Sequence, residues 1–153
     1  MNEDRAFRWI EVLSVLAIVG TVIALSVPKS GEIKRAREAQ QLLADVETVR
    51  KAVYRFYSDS AYFPVQVAGR QAPEGLSAYL PRGFSFRKPY GSFDYRNWPM
   101  TVRDSTAAVS ASNVVGVTVT VNDPRIGAAA EARARSVAKF TVGNKYTFLF
   151  FGS

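Results

Sequence analysis

The sequence predicts an α+β protein in which a long N-terminal helix, half membrane-spanning and half amphipathic, packs on an antiparallel β-sheet. Three observations carry this. Residues Trp9 to Val27 form an apolar run interrupted by a single charge, Glu11. From Ile33 to Tyr57 apolar residues recur at spacings of three and four, which lines them up on one helical face. Further on the period drops to two: Val115, Val117, Val119 and Val121 alternate with Gly116, Thr118 and Thr120, giving one apolar and one small polar face.

The apolar run has 19 residues, which at about 1.5 Å rise each spans roughly 28 Å, close to the hydrocarbon thickness of a bilayer. That length separates it from a buried core helix. A cleaved secretory signal would need a basic start, a shorter apolar stretch and a small-residue exit, whereas Pro28, Lys29, Ser30 and Gly31 follow here. Positive charges do not agree with export of the C-terminal part. Arg5 and Arg8 precede the run, and Lys29, Lys34, Arg35 and Arg37 follow it, so the count favours a cytoplasmic C-terminal side. Long C-terminal domains translocate largely regardless of such charges.

The amphipathic stretch places Ala36, Ala39, Leu42, Leu43, Val46, Val49, Val53, Phe56 and Tyr57 on one face, with Glu47 and Lys51 paired four apart on the polar side. Pro28, Ser30 and Gly31 mark the expected kink. Joined to the apolar run, the helix would have about 50 residues and reach about 75 Å. Beyond Asp59 the composition turns to Pro, Gly, Tyr and Phe, with loops at "YFPVQVAGRQAPEG" and "RKPYGS" and one helical turn at "GLSAYL". Strands are expected at Phe84 to Phe86, at Ser92 to Arg103 with Pro99 at an edge, and at Val114 to Val121. Asp123 as N-cap and Pro124 as first helical residue start a short Ala-rich helix. "KFTVGNKYTFLFF" then closes as a hairpin around Gly143 and Asn144. The sheet is expected to lie on the Leu42 to Phe56 stripe.

Composition excludes several chemistries. With neither cysteine nor histidine, the chain has no disulfide, no thiolate or imidazole metal ligand and no Ser-His or Cys-His pair. No GxSxG, GxGxxG, Walker A or HExxH pattern occurs. A non-enzymatic protein without cofactor or metal is expected.

The segment "AFRWIEVLSVLAIVGTVIALSVP" resembles the N-terminal segment of type IV pilins and of the pseudopilins of type II secretion. Counted from Phe7, Glu11 falls fifth and Pro28 twenty-second, the places where that family carries its glutamate and its helix-kinking proline. The resemblance covers roughly residues 6 to 60. It implies a leader at 1–6, a transmembrane assembly helix at 7–28, its amphipathic continuation at 29–58 and a globular periplasmic β-rich part at 59–153, the whole pilin-like in fold. It also implies prepilin peptidase cleavage between Ala6 and Phe7 and methylation of the new amine. A single pass through the bacterial inner membrane and assembly with homologous subunits by a platform protein and an ATPase follow from it too. Ala6 stands where the family carries Gly, Arg8 and Trp9 replace a small polar and aliphatic pair, and Glu3 and Asp4 make the leader acidic. The missing cysteines and the absence of an Asp-rich C-terminal loop point to a pseudopilin-like or minor subunit without a metal.

The resemblance implies that Glu11 pairs with a neighbouring subunit's N-terminal amine. A carboxylate in hydrocarbon costs several kcal/mol unless it meets a cation, so the residue would bias the subunit towards a partner. The alternative is that Glu11 reaches the headgroup region at little cost.

Charge raises a second class of function. Without residues 1–28 the basic residues fall from 20 to 18 and the acidic from 13 to 10, a net charge of +8. A membrane-anchored periplasmic module that captures DNA or another polyanion without polymerising is the alternative, with nucleic acid the less favoured partner. In "FSFRKPYGSFDYRNW", Arg87, Lys88 and Arg96 interleave with Phe93, Tyr95 and Trp98 as a basic, aromatic surface. The competing reading puts those rings on the core face of two strands.

Overall fold

The computed structural model describes residues 3–26, 29–103, 109–134 and 137–151, with side-chain surroundings for 12–23, 30–100, 113–134 and 137–150. The elements are α1 (Glu3–Ser26), α2 (Lys29–Ser60), a single 3-10 turn (Leu76–Ala78), β1 (Arg87–Lys88), β2 (Gly91–Arg103), β3 (Val109–Val121), α3 (Pro124–Arg133), β4 (Lys139–Val142) and β5 (Lys145–Phe151). The chain divides into two units, residues 1–35 and 36–153.

In the first unit α1 is helical from Trp9 to Ser26 of the apolar run. Among the described residues no helix is long and apolar enough to cross a membrane; the run read from the sequence, Trp9 to Val27, extends past the stretch 12–23 whose side chains are described. The expected kink residue Pro28 lies outside the described residues.

The second unit is α+β. Its sheet has five antiparallel strands in the order β1-β2-β3-β5-β4. The period-two pattern of β3 decides which face is buried. Val115, Val117, Val119 and Val121 are all at most 1% exposed. Register sets Phe93 and Tyr95 of β2 opposite Val119 and Val117, and Phe150, Phe148 and Tyr146 of β5 opposite Val115, Val117 and Val119. These side chains form one core with Ala39, Leu42, Val46, Val49, Ala52, Val53 and Phe56 of α2. The amphipathic stripe is therefore spent on the chain's own sheet. Each of its larger members contributes about 1.5–3 kcal/mol by leaving water.

Two strand assignments differ from expectation. Phe84 to Phe86 is not a strand. The pairing falls on Arg87 and Lys88, while Phe86 turns inward, packs edge-on against Phe84 and Phe93, and accepts a 2.8 Å bond from Phe93 N–H. β3 is also longer than its valine row, because the register with β2 continues from Val114 back to Val109. β1 pairs only with the first two residues of β2, and Pro99 sits on that same edge, where its missing N–H forfeits no ladder bond. Farther along the same edge, Asn97 ties down the long loop by donating from its amide to Pro64 O (3.2 Å) and from its backbone to Gln66 (3.4 Å).

α3 begins as expected. Asp123 accepts from Arg125 N–H at 2.9 Å, with Pro124 in the first turn. Its last carbonyls are satisfied by Lys139, whose ammonium donates to Ala134 O at 2.8 Å and to Glu131 O. The helix lies against β5 at Gly127, where an added Cβ would stand 2.0 Å from Tyr146 Cε2, and Tyr146 O–H donates to Pro124 O at 3.0 Å. Both contacts fix the helix height above the sheet. Gly127→Ala should therefore cost about 1–3 kcal/mol by overpacking, read as a lower urea midpoint with the slope unchanged; an unaltered midpoint would show that α3 shifts freely on Tyr146.

Candidate functional site

Two regions carry residues singled out above. The first is α1. Ala6, Phe7 and Glu11 all lie within Glu3–Ser26, with Phe7 and Glu11 about one turn apart, so the backbone at the expected Ala6–Phe7 junction is helical. Their side chains are outside those described. What is described follows directly: Val12, Leu13, Val15, Leu16, Ile18, Val19, Val22 and Ile23 are 48–65% exposed and at about 100° per residue occupy most of the helix circumference. Between them Thr21 donates its hydroxyl to Ala17 O at 2.7 Å, satisfying itself within the helix.

The second region is the sheet around Arg87, Lys88 and Arg96, and the structure separates these three. Arg87 pairs with Ser92, and Lys88 with Gly91. Strand alternation thus puts Arg87 on the outer face with Ser92, Asp94 and Arg96, and Lys88 on the helix-facing side with Phe93 and Tyr95. Lys88 is a correction to the expected surface: its ammonium is 3.2 Å from Asp45 Oδ2 of α2 and 4.3 Å from the Phe84 ring centre, with the side chain 17% exposed. Phe93 and Tyr95 are core residues at 0% and 1% exposure, so they offer no stacking platform.

Asp45 is the node of this corner. Its Oδ2 also accepts from the Tyr90 hydroxyl. Burial first, and then the bond to Asp45, push the Tyr90 phenol well above its ordinary value. Burial alone raises Tyr95, whose hydroxyl has no partner. At the far end of α2, Tyr79 donates to Asp59 at 2.9 Å, and that bond is the main reason its phenol is raised.

Turned away from α2, the outer face of the sheet holds a groove of about 200 Å³ lined by Arg96, Trp98, Thr118, Phe140, Val142, Lys145 and Thr147. Its floor is the Thr118–Thr147 hydroxyl pair, 2.9 Å apart and 7% and 3% exposed. Trp98 settles beside it because Gly116 has no side chain; a Cβ there would meet Trp98 Cζ3 at 3.3 Å and Phe148 O at 2.6 Å. Arg96 and Trp98 were named from the sequence. Phe140, Val142 and Lys145 belong to the expected hairpin, and alternation in "KFTV" puts Phe140 and Val142 on one side of β4. A second recess, also about 200 Å³, lies where residues 66–70 meet Asp94, Tyr95 and Arg96.

Among the described residues no group of three or more His, Cys, Asp or Glu could hold a metal ion. No protein-family model, curated protein or solved structure matches the chain.

Two measurements test this corner. Asp45→Ala strips Tyr90 of its acceptor and Lys88 of its counter-charge, and should cost about 1–3 kcal/mol, with Lys88→Met in the same chain restoring part of the loss; full additivity would mean the node is not coupled. The phenols give a pH signature. Tyr90 and Tyr95 release protons in the unfolded chain near 10.0 but only at higher pH when folded. Their contribution is therefore intact below about pH 10 and lost as pH rises beyond it. Urea midpoints at about pH 8 and pH 10.5 should show a smaller alkaline loss in a Tyr90→Phe, Tyr95→Phe double variant than in the parent.

Proposed function

We propose that the chain is a structural subunit of a type IV pilus-like or type II secretion pseudopilus filament, held in the bacterial inner membrane and assembled through α1. The observation that carries this reading is the apolar surface of α1. Eight large aliphatic side chains between Val12 and Ile23 stand about half exposed or more, a surface that a helix in water does not keep uncovered. The α2 stripe offers it no model for self-burial, since that stripe is consumed by the sheet. A bilayer in one state and neighbouring α1 helices in the other supply two covers for one surface.

The spacing of Phe7, Glu11 and Pro28 supports the same reading. In it, prepilin peptidase cuts after Ala6, the Phe7 amine is methylated, and Glu11 of one subunit pairs with that amine on the next. The periplasmic module is residues 59–153 together with the amphipathic part of α2. Its role is structural and no catalytic step is assigned.

If the pairing holds, Glu11→Ala removes both the desolvation penalty and the attraction, so the subunit inserts at normal levels and filaments fail. Glu11→Gln keeps size and hydrogen bonding but drops the charge, and should behave like Ala. Electron microscopy of cells at matched membrane levels reads the outcome; normal filaments from both variants end the pairing. Mass spectrometry of the membrane-extracted protein should show loss of residues 1–6 and one methyl on Phe7, and an intact N-terminus in assembled material would exclude this maturation route.

A further inference from the structure

We propose that the outer groove of the sheet binds single-stranded nucleic acid, with Trp98 and Phe140 stacking on bases and Arg96 and Lys145 neutralising phosphates. The groove lies within residues 36–153 and uses neither α1 nor the α2 stripe, so this proposal and the filament reading stand or fall separately.

The chemistry of the lining selects the ligand. Its polar groups are donors: the Arg96 guanidinium, 39% exposed, the exposed Lys145 ammonium and the Trp98 indole N–H. No carboxylate or side-chain amide lines it, and the two threonine hydroxyls are bonded to each other. A carbohydrate needs acceptors for its own hydroxyls, and here the lining side chains offer only the two nearly buried threonine oxygens. A phosphodiester, by contrast, presents only acceptors and negative charge to the groove. Asp94 lies on the same face as the register partner of Thr118, but it is not part of the lining, and its Oδ2 is 4.0 Å from Arg96 Nη2, at the limit of an ion pair, so the guanidinium is not held by a close counter-charge.

The rings decide between a stacked base and a charge-only polymer. Phe140 is 47% exposed and Trp98 is partly exposed. Trp98 sits opposite Val114 on β3, whereas Phe140 is opposite Thr147, which is opposite Thr118. Phe140 is thus three strands and four residue rows away, about 20 Å between Cα positions at ordinary strand spacings. The two platforms therefore stand at opposite ends of a diagonal path across Thr118 and Thr147, with Arg96 beside one and Lys145 beside the other. A sulfated polysaccharide could use the cations and rest on the rings, but its many hydroxyls would find few acceptors in this lining. A duplex keeps its bases stacked on each other, out of reach of both. An extended single strand uses cations and rings together.

The test is fluorescence anisotropy of a labelled oligothymidylate of about twelve nucleotides with the full chain in neutral detergent. Binding should weaken as salt rises, and Trp98→Ala and Phe140→Ala should each weaken it about fivefold or more. Lys145→Ala should weaken it and lower the salt slope by about one, while Arg125→Ala on α3 leaves it unchanged. Trp98→Phe should retain most of the affinity, which separates loss of the platform from loss of the fold. The proposal is overturned by no binding at roughly 100 µM protein in low salt. Equal effects of Arg125→Ala and Lys145→Ala would also overturn it. So would duplex DNA or heparin displacing the oligonucleotide from a site that the ring variants leave untouched.

Discussion

The fold of residues 36–153 depends on β3 carrying a row of valines on one face and small residues, Gly116, Thr118 and Thr120, on the other. Among the described strands it alone has long partners on both edges, β2 and β5, and its Val115, Val117, Val119 and Val121 are fully buried. Because β-branched side chains are short and stiff, they leave room for large partners, and the neighbours supply them: Phe93 and Tyr95 from β2, Tyr146, Phe148 and Phe150 from β5, and the aliphatic stripe of α2 from above. A charge on any one of those valines would confront all three layers at once.

The same strand shapes the opposite surface. Gly116 and Thr118 are too small to cover it, so longer residues of the neighbouring strands lean over the gap. Trp98 comes to rest against Gly116, and the Thr118–Thr147 pair is buried beneath the groove. Core and groove are thus two results of one alternation. Parity also decides which residues of β2, β4 and β5 reach the groove: Arg96, Trp98, Phe140, Val142, Lys145 and Thr147 line it, with Asp94 on the same face just outside the lining.

Features that depend on local pattern were legible in the sequence. The α2 stripe, the β3 row, the Asp123 cap and the hairpin at Gly143 and Asn144 all come from period, propensity or turn chemistry within a few residues. What escaped depends on register between distant segments. Lys88 reads as a surface cation until the two-residue bridge of β1 turns it towards Asp45, more than forty positions earlier. Tyr90 and Asp45 meet for the same reason. The groove draws on four strands, and no single stretch of sequence contains it; only Arg96 and Trp98, two residues apart, were visible together. For α1 the exposed aliphatic residues agree with the apolar run, while Glu11 and Pro28 are known from the sequence alone.

β5 follows every other element in the chain yet lies inside the sheet, between β3 and β4. During synthesis the valine strand emerges well before the partner that closes its second edge. At ordinary elongation rates of about 5–20 residues per second, that interval is roughly one to five seconds. Throughout it β3 offers an unpaired backbone rail beside an unfinished core, a template that any other extended chain could occupy. A protein arranged in this way gains from being kept apart from its own copies until synthesis is complete, and the order of its strands makes the timing of folding as much a part of its design as the final structure.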